Sequence, residues 1–170
     1  NITLIRFAPI HTTAKKGEMT MQDRDEIRCI INDNVSEITS HMTGITLIES
    51  QPVEIPDAYT IHLCAKGSYQ FDLYLQTDIK TLAHIAGQMK RGPVTSEEIP
   101  MYATEFFNIL GGHIVSKINR LYQQTARFKP PVFFSDDFRI NEVQEDTMIF
   151  YYRYLDGGVK VEGQFSKSST

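Results

Sequence analysis

The feature that most constrains this fold is a long helical pattern in the second half of the chain. At about 100° per residue, Ala103, Phe107, Leu110, Ile114, Ile118 and Leu121 fall on one narrow arc, and the spacing predicts that this stripe faces a core. Glu105 lies opposite the stripe, with Asn108, Ile109, Gly112, Ser116 and Asn119 on its side. The outward face thus carries an acid and an amide one turn apart, then an apolar side chain and a glycine. A glycine inside a helix costs about 1 kcal/mol relative to alanine, and here Gly111 and Gly112 are adjacent. Exposed helix faces are ordinarily filled with Lys, Glu and Ala, which favour the helix. A bare backbone lets another surface approach, either a partner's or an element of the chain's own fold.

The rest of the chain supplies something for that stripe to pack on. Residues 1–22 read as an N-terminal arm or extra strand (Ile2, Leu4, Ile5, Phe7, Ile10) followed by a polar linker. A first long helix is expected from Asp23 or Asp25 to Met42, with Ile27, Ile30, Ile31, Val35, Ile38 and Met42 inward and Gly44 as its C-terminal cap. Residues 45–55 read as a strand. Tyr59–Lys66 and Tyr69–Gln76 alternate with period two around Lys66-Gly67-Ser68, which is a hairpin pattern.

Thr77 or Asp78 then caps a shorter helix through Met89, with Ile79, Leu82, Ala83, Ala86 and Met89 inward. A capping box at Thr95 or Ser96 with Glu97 and Glu98 opens the second long helix, which is expected to run to about Thr125. Strands are expected at 132–143, 147–155 and 159–165, the last two around an Asp156-Gly157-Gly158 turn. Long amphipathic helices placed before each group of strands suggest an internal pseudo-two-fold repeat. The expected fold is α+β, an antiparallel sheet with both long helices on one face. Residues 23–170 form its one domain.

Composition excludes several functions. The chain has 170 residues, 41% hydrophobic, and a formal net charge of −4, enough for one real core. Its Lys and Arg are dispersed rather than gathered in a stripe, which argues against nucleic acid. No apolar run approaches the roughly 20 residues of a membrane span, and no charged-then-apolar signal peptide opens the sequence. Cys29 and Cys64 have no metal-ligand spacing and read as small buried or half-buried thiols, which points to the cytoplasm.

Most catalytic templates are missing too: there is no G-x-S-x-G, no phosphate loop, no H-E-x-x-H and no C-x-x-C. Asp136-Asp137 reads as a turn or strand end, the aromatic run Phe150–Tyr154 as sheet core, and His113 as a boundary residue. What remains is Glu105-x-x-Asn108. An amide is a poor base, yet it can hold a water through its oxygen or its N–H groups. Hydrolysis of an acyl phosphate needs an in-line water and charge stabilisation, so positioning is the main task of the protein.

Glu105-Phe106-Phe107-Asn108 followed by Gly111-Gly112, placed in the second long helix, resembles the CheX branch of the CheC/CheX/FliY chemotaxis phosphatases. The resemblance covers roughly residues 23–165. It implies two long helices on an antiparallel sheet of about six strands, and dephosphorylation of a phospho-aspartate on a CheY-like receiver domain. It also implies that Glu105 docks on the receiver's lysine and Asn108 orients the attacking water, with Ile109, Gly112 and Ser116 in the partner contact. The receiver supplies the Mg²⁺, no cofactor belongs to the chain itself, and a homodimer joined through the sheet is expected. The first long helix departs from the two-site pattern, because Glu26 is followed three residues on by Cys29 and Glu37 by Ser40. One site per chain is therefore expected, and residues 1–22 have no counterpart. The alternative is a non-catalytic module that binds a signalling partner through the same helix face. A small-molecule sensor with a pocket between helices and sheet is a third reading.

Overall fold

A computed structural model of the chain describes residues 19–136, 138, 142, 144 and 146–167. The expected arm or strand at the start of the chain, and most of the linker after it, lie outside these residues. The elements are α1 (Met21–Thr43), β1 (Ile48–Glu49), β2 (Tyr59–Gly67), β3 (Tyr69–Thr77), α2 (Ile79–Lys90), α3 (Ile99–Tyr122), β4 (Ala126–Phe128), β5 (Val132–Phe134), β6 (Met148–Tyr154) and β7 (Gly157–Lys167). All pairings are antiparallel. The strand order is β1-β6-β7-β3-β2-β4, and β5 adds to β2. The α+β expectation holds, with seven strands among the described residues where about six were expected.

The hairpin of β2 and β3 sets the register on which the core is built. Ile61, Leu63 and Ala65 lie opposite Leu75, Leu73 and Phe71, and all six are almost fully buried under the helices. Val159 and Val161 of β7 and Phe150 and Tyr152 of β6 continue this apolar layer. Each such side chain contributes about 1.5–3 kcal/mol of burial. Ile27, Ile31 and Val35 of α1 and Ala103, Phe107, Leu110, Ile114 and Ile118 of α3 close the layer from one side. At Gly163 of β7 a Cβ would stand 2.7 Å from Ile31 Cδ1, so α1 rests directly on the sheet there.

Several boundaries move for local reasons. Helix α1 starts earlier than expected because Thr20, not an aspartate, is its N-cap. Asp23 N donates to Thr20 Oγ1 at 3.1 Å and Thr20 N donates to Asp23 Oδ2 at 2.9 Å, a complete capping box. The strand expected over 45–55 is reduced to Ile48–Glu49. Asp78 caps α2 as expected, but Ile79, the first residue beyond the cap, is 40% exposed while Thr81 turns inward. At the start of α3 only half of the capping box forms. Thr95 N donates to Glu98 Oε2, Lys90 Nζ donates to the same carboxylate, and Glu98 itself has no capping side-chain bond.

The α3 stripe is right through Ile118 and wrong at its end. Leu121 sits in the last turn and is 37% exposed, whereas Phe106 and Val115, off the stripe, are buried because α1 and α2 also pack on this helix. Helix α3 stops at Tyr122, where Gln123 takes a left-handed φ of 51°, and the freed residues form β4. The strand expected over 132–143 is described only as Val132–Phe134. The β6–β7 turn is Leu155-Asp156, with Leu155 at φ 52°, and both glycines are in β7. They are needed for close approach: a Cβ on Gly157 would lie 2.5 Å from Asp78 Oδ2, and one on Gly158 would lie 2.9 Å from Val53 Cγ1. Cys29 is exposed, against the expectation of a buried thiol, and Cys64 is half-buried.

Candidate functional site on the outer face of α3

Helix α3 holds the expected acid and amide outward. Glu105 is exposed and Asn108 half-buried, about 4.5 Å further along the axis. Neither makes a hydrogen bond or ion pair with any described residue. The carboxylate offers acceptors only, and the amide offers an acceptor and two donors. Ile109 and Gly112 are half-buried and Ser116 is exposed, so all five residues share one accessible strip. Ser116 is engaged locally, its Oγ accepting from the Arg120 guanidinium at 3.5 Å. Met101, four residues before Glu105 and 58% exposed, extends the same strip with an apolar end. Its i−4 spacing is the signal that identifies it.

The two glycines have different tasks. Gly111 is buried, and a Cβ on it would lie 2.3 Å from Leu63 Cδ1, so it lets α3 come down onto β2. Gly112 is half-buried, and a Cβ there would meet the edge of the Phe128 ring, Cζ at 3.4 Å and Cε1 at 3.8 Å. Asn119, grouped by periodicity with the outward residues, has a structural task instead. Its Oδ1 accepts from Tyr69 OH at 2.8 Å and from Ala126 N at 2.9 Å, and its Nδ2 donates to Ala126 O at 3.1 Å. The amide thereby ties the end of α3 to the first residue of β4. His113 is exposed, has no partner among the described residues and completes no catalytic pair. On α1, Cys29 and Ser40 stand where a second amide would be needed.

The opposite face of the sheet holds a polar cluster that periodicity alone does not reveal. His62 of β2 and Asp72 of β3 are 6% and 2% exposed, and His62 Nε2 donates to Asp72 Oδ1 at 2.8 Å. Gln70 Nε2 donates to Asp72 Oδ2 at 2.8 Å. Burial pushes the Asp72 carboxyl up, but hydrogen bonds from His62, Gln70 and Cys64 outweigh it and hold the group below its ordinary value. Among the described residues no three His, Cys, Asp or Glu side chains come together as a metal site. No helix among them is long and apolar enough to cross a membrane.

No protein-family model matches the chain, and no curated protein sequence matches it. Solved structures do. The chemotaxis protein CheX from Desulfovibrio desulfuricans superposes with a TM-score of 0.68 at 15% identity, over 83% of this chain and 99% of that one. A chain of the CheX–CheY–BeF3–Mg²⁺ complex from Borrelia burgdorferi also gives 0.68 at 15% identity, over 81% and 96%. FliY from Thermotoga maritima gives 0.60 at 17% identity, over 88% and 91%. The chain has the CheC/CheX/FliY fold.

Proposed function

We propose that this chain, built on the fold shared by CheX and FliY proteins, acts on a CheY-like partner and hydrolyses the phospho-aspartate of its receiver domain. The observation that carries this reading is the Glu105–Asn108 pair, held outward on a helix pinned to the sheet and left without partners among the described residues. The CheX–CheY complex among the structural neighbours supports a receiver as the partner.

The chemistry asks little of the protein beyond placement. A water attacks phosphorus in line, the bond from phosphorus to the aspartyl oxygen breaks, and the aspartate leaves as a carboxylate. The water's oxygen and both its protons end in inorganic phosphate, released as dihydrogen phosphate. Asn108 holds that water by its side-chain amide, Glu105 accepts the receiver's lysine ammonium and fixes the approach, and the receiver's own Mg²⁺ carries the phosphoryl charge. Ile109, Gly112 and Ser116 complete the contact, with Met101 at its edge.

The test is decay of phosphoryl label from a phosphorylated receiver in Mg²⁺, with wild type and with Asn108→Ala. Acceleration by wild type and its loss in the variant is the expected result. Undiminished activity of Asn108→Ala would remove the amide from the mechanism. Binding of the phosphorylated receiver without any faster decay would replace the phosphatase by a docking module on the same face.

A further inference from the structure

Lys66 of β2 and Arg127 of β4 are Cα partners across an antiparallel pair, so their side chains leave the same face side by side. Like charges in directly opposed positions destabilise a sheet. Lys129, two residues beyond Arg127, adds a third cation on the same side. All three are exposed, and none has an ion-pair partner among the described residues. They rim a cavity of about 330 Å³ on the sheet face away from α3, with Pro130 and Val132 as an apolar wall.

The floor of this cavity is the His62–Asp72 cluster. Its one carboxylate among the described residues is already engaged, Oδ1 by His62 and Oδ2 by Gln70, and none of the three rim cations pairs with it. Burial pushes the neighbouring Cys64 thiol up to about 11, so it adds no negative charge at neutral pH. Among the described residues, three cations against one engaged carboxylate leave the cavity mouth positive. Arg supplies a planar donor fork and each Lys a point charge, the combination that holds phosphate oxygens. The volume suits a small molecule, at the low end of ligand pockets.

We propose that this cavity is a binding site for a small phosphate-bearing anion, its oxygens between Lys66, Arg127 and Lys129 and any apolar body against Pro130 and Val132. The occupant relieves the Lys66–Arg127 repulsion. This site is separate from Glu105 and Asn108 and needs no phosphatase turnover.

The experiment is amide-resolved NMR titration of the full chain at low ionic strength with inorganic phosphate, and separately with phenyl phosphate. Saturable shifts in β2 and β4 are expected, weakened about tenfold or more in Lys66→Ala and Arg127→Ala. Equal affinity for the two probes identifies the free anion as ligand, and tighter phenyl phosphate identifies an ester with an apolar body. Absence of saturable shifts with both probes, or unchanged affinity in both variants, overturns the proposal. Thermal melts of the ligand-free variants guard against misfolding. Removing one of two opposed cations should leave the melting temperature unchanged or raise it, and a fall would contradict the repulsion on which the site rests.

Discussion

Gly111 of α3 stands so close to Leu63 of β2 that a Cβ on it would lie 2.3 Å from Leu63 Cδ1. Leu63 is fully buried, so any shift of its side chain has to be taken up by the packed core around it. This contact seats the helix that carries Glu105 and Asn108, so its height above the sheet depends on a missing methyl group.

Gly111→Ala should therefore destabilise the protein by about 1–3 kcal/mol through overpacking, despite the gain in helix propensity. Gly112→Ala should behave in the opposite way, because its Cβ meets Phe128 at an ordinary 3.4 Å. Stability should hold or rise by up to about 1 kcal/mol, while on the proposed docking face the added methyl should hinder the receiver. Urea melts and phosphoryl decay, run on both variants, separate the two effects. Equal losses of stability would show that the glycines share one task.

On the proposed reaction, Asn108→Ala should reduce the acceleration of phosphoryl decay by about a hundredfold or more, since that reaction depends on placing the water. Its melting curve should shift by less than about 0.5 kcal/mol, the side chain having no partner among the described residues. Glu105→Ala should weaken receiver binding as well as turnover, read as a raised half-saturation concentration of phosphorylated receiver.

Asn119→Ala should cost about 1–3 kcal/mol, because Tyr69 OH and both backbone groups of Ala126 lose their partner together. Burial pushes the Tyr69 phenol up to about 12, so it remains a donor at neutral pH. The sharpest readout is local: hydrogen exchange at the Ala126 amide should quicken more than exchange in the middle of β3.

Asp72 makes stability depend on pH. Its carboxyl is held below the ordinary value in the fold, so it binds a proton more readily when unfolded. Its contribution is complete above the ordinary carboxylate range and is lost as pH falls through the lower folded value. Asp72→Asn should thus cost about 1.5–3 kcal/mol at neutral pH, the scale of hydrogen bonds to a charged group. Denaturant melts at about pH 7 and about pH 3 should show that difference shrinking at the acid end. A difference independent of pH would contradict an ionised Asp72.

The parts of this fold that rest on local period are legible from the residues. The stripe from Ala103 to Ile118 and the hairpin around Lys66-Gly67-Ser68 both appear where they were expected, although the polar face of the hairpin is largely buried as well. Strand β4 was hidden because Ala126-Arg127-Phe128 is too short to show a period, and its identity comes from pairing with β2 and from Asn119. Gly157-Gly158 looked like a turn because glycine favours turns, yet the turn falls on Leu155-Asp156 and the glycines make room for Asp78 and Val53.

Which side of the second long helix carries Glu105 and Asn108 follows from the order of residues alone, since a 3.6-residue period assigns faces without reference to anything else. Only the tertiary structure separated Gly111 from Gly112, took Asn119 out of the outward face, and brought His62 to Asp72 and Lys66 to Arg127. Those roles depend on neighbours that strand register and helix packing bring together, and a local pattern does not encode which residues these are.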